Sequence, residues 1–150
     1  MYKKIIAIIL LLVAFFPCNA FAKDKIIKEE VMHLSLNYFK PILDTPNKSE
    51  KNFNNLSKEK QRQLYKKHSE FISKKISELE KVEVSTPVSE YKEAMIVFNK
   101  VVLESMILLQ KEEVNDSDVI LAVALNRAIG EAHNELKYEF IDLTGKFFVF

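Results

Sequence analysis

Glu30-Val31-Met32-His33 spaces a carboxylate and an imidazole three residues apart. On a helix that puts both on one face, the half-site from which di-iron helical bundles are built. A complete site needs a second Glu-x-x-His and two further glutamates on facing helices. Near the other end, Glu131, His133 and Glu135 run i, i+2, i+4, a spacing that turns His133 away from both carboxylates. Haem would ask for an axial pair such as Met32 or His33 with His133, and no surrounding motif accompanies those residues. For hydrolysis, His33, His68 and His133 are the three histidines, none within a Gly-x-Ser-x-Gly nucleophile turn. The two glycines, Gly130 and Gly145, cannot build an oxyanion loop of that kind. The expectation is a protein that is not an enzyme and has no cofactor or metal site, with a haem- or metal-binding bundle carrier as the alternative.

The elements that would carry these residues follow from composition. Two Gly and four Pro in 150 residues, with 48% hydrophobic and 29% charged, leave little turn chemistry for a many-stranded β fold or a Gly-rich phosphate loop. Long helices are favoured. Residues 1–22 read as a secretory signal peptide: Lys3 and Lys4 form the basic segment, Ile5 to Phe16 the apolar one, and Ala20-Phe21-Ala22 a small-x-small cleavage site. The apolar run is shorter than the roughly 20 residues a membrane-spanning helix needs. Cys18 raises lipid attachment as an alternative, but Phe15-Phe16-Pro17 lacks the small residues usual before such a cysteine. Removing 22 residues from 150 leaves 128, suited to a single helical-bundle domain over 23–150. Removing Lys3 and Lys4 from the 22 basic residues leaves 20 against 21 acidic ones, a formal charge of −1, so nucleic acid is not an expected partner. The one cysteine leaves as well, and thiol chemistry with it.

Four amphipathic segments predict an all-α, four-helix up-and-down bundle. The first runs from about Asp24 to Phe39 with Ile27, Val31, Leu34 and Tyr38 as its stripe, and Pro41 is expected to end it. Residues 44–56, with Pro46 and several Asn and Lys, read as a polar connection. The second helix opens at Ser57 as N-cap and buries Leu64, Phe71, Ile72, Ile76 and Leu79, with His68 beside them. Thr86 as N-cap and Pro87 at the first position begin the third, whose seam is Tyr91, Met95, Phe98, Val102, Ser105 and Leu109. That helix is apolar almost all round, so it is either central or also an interface. The fourth starts after Asn115-Asp116-Ser117-Asp118 and carries Leu121, Leu125, Ala128, Ala132 and Leu136, with small residues around Gly130 permitting close approach. It ends near Gly145. Glu104 and Arg127 interrupt apolar stretches, so either they pair between helices or each marks the wet face of its own.

Two surfaces suggest contact. The second helix has a basic excess that includes Lys66, Lys67, Lys74 and Lys75, either a solvated face or a site for an acidic or anionic partner. The C-terminal tail Gly145-Lys146-Phe147-Phe148-Val149-Phe150 resembles the terminal signature of bacterial outer-membrane β-barrel strands at Gly145, Phe148 and Phe150. Leu143 stands where that pattern prefers a polar residue, and the rest of the chain lacks the alternating strands of a barrel. The tail either folds over the bundle core or docks on a partner. The chain is therefore expected to be a small exported protein, periplasmic in a Gram-negative host and otherwise secreted. It would act by binding another protein as an inhibitor, immunity protein, chaperone or secretion accessory, with a homo-oligomer possible. Peripheral envelope binding through the basic helix is a further alternative.

Overall fold

The computed structural model describes residues 23–49, 53, 56–146 and 148. The proposed signal peptide, Phe147 and Phe150 lie outside them. Among the described residues there is no strand, and four helical rods form the fold. The first comprises α1 (residues 23–34), a π-helical turn at Ser35–Phe39 and α2 (Lys40–Ser49) without interruption. It is followed by α3 (Lys58–Glu80), a 3-10 turn at Thr86–Val88, α4 (Ser89–Leu108) and α5 (Asp116–Thr144).

Pro41 therefore does not end the first rod, and helix occupies much of the stretch expected to be a polar connection. The reason is local and tertiary together. A proline lacks the N–H for the helical ladder and crowds the carbonyl four residues back. Here the five residues before Lys40 widen into a π turn, in which the Lys40 amide reaches back to the Ser35 carbonyl. Pro41 follows that turn directly, so the ring's missing N–H removes one donor from a rod that otherwise continues, at the point where the ladder has already widened. Ile42 is buried in the core and Leu43 packs against it, which holds the continuation in place.

The termini follow sequence chemistry. The Ser57 hydroxyl accepts from the Lys60 amide at 3.4 Å and caps α3. At the other end of α3 the Lys92 ammonium donates to the Glu80 and Val82 carbonyls at 3.0 and 2.9 Å, satisfying acceptors that a helix end leaves orphaned. Ser85, rather than Thr86, precedes the turn into α4, and Pro87 lies within it. Asn115 and Asp118 form a reciprocal capping box at the start of α5. Lys111 also bonds the Asp118 carboxylate and, with the Asn115 amide, holds its pKa below the usual range. Gly145 closes α5 at φ 65°, a left-handed conformation that suits glycine.

The main core joins Val31, Leu34, Phe39 and Ile42 to Ile72, Ile76 and Leu79 of α3, Tyr91, Ala94, Met95, Ile96 and Phe98 of α4, and Ala132, Leu136 and Phe140 of α5. α4 packs most extensively on α5 and α3, which makes it the central helix. Its seam holds at Tyr91, Met95 and Phe98, whereas Leu109 is exposed. Gly130 is exposed with open space where a Cβ would stand, so it does not serve close helix approach; of the small residues nearby, Ala132 enters the core.

Two polar contacts join the π turn to α4 inside this core. Ser35 is fully buried; its hydroxyl donates to the Val31 carbonyl at 2.6 Å and accepts from the Tyr91 phenol at 2.7 Å. The Asn99 side-chain amide donates to the Tyr38 carbonyl at 3.2 Å. Burial pushes the Tyr91 phenol up to about 12, against the partial relief of its bond to Ser35. A raised acid pKa makes the folded state hold its proton where the unfolded chain has lost it. Stability contributed by neutral Tyr91 should thus be full below about pH 10 and fall as pH rises from about 10 towards 12. Denaturant titrations from pH 8 to 11.5 should show this alkaline loss, and Tyr91→Phe should flatten it to the smaller share left by half-buried Tyr65, whose pKa is also raised by burial.

Candidate functional site

The residues proposed for metal or haem are engaged elsewhere. The Glu30 carboxylate accepts from the Ser85 amide at 3.1 Å and the Ser85 hydroxyl at 2.6 Å, which fastens α1 to the link before α4. His33 is exposed and shares a 3.1 Å contact with the Asn37 side chain. His133 lies among aromatic rings, with centroids 6.0 Å from Phe39, 6.1 Å from Phe98 and 5.7 Å from Phe148. No cluster of three or more His, Cys, Asp or Glu able to hold a metal occurs among the described residues.

The basic face of α3 is partly spent within the chain. Lys75 is half-buried, bonds Glu78 at 3.0 Å and sits 5.3 Å from the Tyr38 ring centroid. Lys74 reaches the same carboxylate at 3.9 Å. The hydrogen bond from Lys75, followed by the nearby ammonium charges, holds the Glu78 carboxyl below its ordinary pKa. Lys66 and Lys67 are exposed. The four lysines do not converge on one pocket; of them the groove between α3 and α4 takes only Lys74, together with Lys81 and beside Ser69, Ser73, Leu103 and Ile107.

Glu104 and Arg127 do not pair. Both are exposed, and Arg127 instead donates to Glu131 one turn on at 2.8 Å, so each marks the wet side of its own helix. A second groove, between α4 and α5, gathers Glu90, Glu93, Glu135 and Glu139. Burial, then the charges of Glu90, Asp142 and Glu135, raises the Glu139 pKa.

Phe148 packs against the core. Its ring lies 5.1 Å from Phe140 and 5.3 Å from Phe39 and closes the aromatic cluster around His133. Phe148→Ala should remove part of this lid and cost about 2 kcal/mol, below the full range for a completely buried phenylalanine. Urea unfolding of the two proteins measures it; an unchanged midpoint would mean that the ring adds no packing.

The main uncovered surface lies elsewhere. Residues 119–124, Val-Ile-Leu-Ala-Val-Ala, form nearly two turns of α5, apolar on every side and exposed at every position. Ile120 is 72% exposed, Val123 68% and Val119 54%. The inward side of α5 is Asp118, Leu125, Ala132 and Leu136; Ile120 and Val123 lie on the opposite side at helical spacing. No residue of α5 before Ile129 belongs to the main core or packs against it. No family model, curated protein or solved structure matches this chain. The site therefore rests on its own chemistry.

Sequence reasoning missed Val119, Ile120 and Val123 because it sought surplus apolar surface on α4. That helix is covered on two sides by its neighbours, although Val97 and Ile107 remain about half exposed. The available signal was the same all-round apolarity in residues 119–124. Leu121, placed on the inward stripe from sequence, is 45% exposed.

Proposed function

We propose that this is an exported up-and-down helical bundle, released from its signal peptide after Ala22, that works by contact with protein rather than by catalysis. The outward apolar face of α5 at Val119, Ile120 and Val123 is the contact surface. The observation that carries the reading is the exposure of two apolar helical turns, since a helix apolar on all faces is stable in water when those faces are covered. Roles as an inhibitor, immunity protein, chaperone or secretion accessory all use such a surface. The absence of cysteine after residue 22 suits an oxidising compartment, where no thiol needs protection.

A photoreactive residue at Val123 tests the contact, with one at exposed Glu29 as control. In an expressing Gram-negative cell the periplasmic fraction should contain protein whose N-terminus is Lys23. The Val123 probe should give a discrete protein adduct that Ile120→Glu abolishes, and the Glu29 probe should not. Retention of residues 1–22, or no adduct at Val123, would contradict the reading.

A further inference from the structure

Asp116, Ile120, Val123 and Arg127 stand at i, i+4, i+7 and i+11 along the outward face of α5, so an acid and a base bracket two apolar residues. The order is palindromic in spacing. Turned end for end about its midpoint, the stripe sets Ile120 against Val123 and Asp116 against Arg127, twice over. We infer that the occupant of this face is a second copy of the same chain, bound through an antiparallel α5–α5 contact with two-fold symmetry. The inference rests on the contact reading above and adds the identity of the partner.

The charges fit that partner. Asp116 is exposed and has no ion pair among the described residues. The Arg127 side chain is 82% exposed, and its bond to Glu131 uses Nε, leaving the four N–H donors of its two terminal nitrogens with capacity for a second carboxylate. In a two-fold interface each surface must complement itself. A single-sign rim would repel, whereas opposite signs at the two ends of one stripe attract in the antiparallel register and oppose the parallel one. Glu131 neutralises part of Arg127, so the apolar pairs supply most of the affinity and the charges supply direction.

Sedimentation velocity on protein expressed from the full 150-residue sequence tests this across a wide concentration range, with circular dichroism to verify that each variant is folded. The native protein should move from monomer to dimer as concentration rises. Ile120→Glu should raise the dissociation constant by about tenfold or more. Asp116→Arg and Arg127→Asp should each weaken self-association, because each homodimer then juxtaposes like charges twice. Mixed together, the two variants should form a heterodimer tighter than either homodimer, since both pairs are opposite in sign again. Mixing controls for helix damage, because a frayed α5 would not regain affinity. A monomer at every concentration, a dimer indifferent to Ile120→Glu, or no gain on mixing would overturn the inference. If those results came with an Ile120-dependent Val123 adduct to a different protein, the second-copy assignment would fall and the contact reading would stand. Absence of any Val123 adduct would remove the contact reading itself.

Discussion

The hydroxyl of Ser35 joins the two parts of the fold that the sequence places in conflict. A rod that carries Pro41 loses a ladder donor and must widen before the proline, and the widened π turn lies against the central helix. Backbone irregularity inside a core is tolerated where its polar groups find partners. Tyr91 and Asn99 of α4 provide them, one through Ser35 and one at the Tyr38 carbonyl. These contacts set the register of the first rod on α4, and Glu30 with Ser85 extends the same alignment towards the start of α4. Among the described residues Asn99 Oδ1 is buried without a hydrogen-bond partner, so this polar seam serves register more than stability.

From that alignment follows where the core lies. Residues 31–42, the second half of α3, the first half of α4 and the second half of α5 meet around Phe39, Phe98 and Phe140, and Phe148 closes the cluster. The first half of α5 extends past that core beside the end of α4, where Leu108 and Leu125 are buried but the outward face has no cover. One seam thus explains both the well-packed region and the exposed one. No helix among the described residues is long and apolar enough to cross a membrane.

Much of the helical architecture was legible in the residues. Ser57, the run Asn115 to Asp118, and Gly145 are local signals whose partners lie within a turn; Ser57 and Gly145 act where they were read, while α5 begins at Asp116, inside that run rather than after it. Stripes such as Ile72, Ile76 and Leu79 are equally local. Pro41 misled because its cost depends on the helix before it, and widening to a π turn reflects burial of Ser35 and Phe39 against α4. The exposed apolar face of α5 was hidden for a different reason. Periodicity reports which side of a helix is most apolar, but in residues 119–124 every side is, and only the length of core available decides which side stays wet. The lysines of α3 read as a surplus because their carboxylate neighbours were counted as a total, whereas Lys74 and Lys75 both converge on Glu78.

The direct test of the polar seam is a double-mutant cycle on Ser35→Ala and Tyr91→Phe, measured by urea unfolding near pH 7. If the 2.7 Å hydroxyl–phenol bond fixes the π turn to α4, the two changes should be non-additive by about 1 kcal/mol. Strict additivity, with each substitution costing the same in the presence and absence of the other, would contradict it.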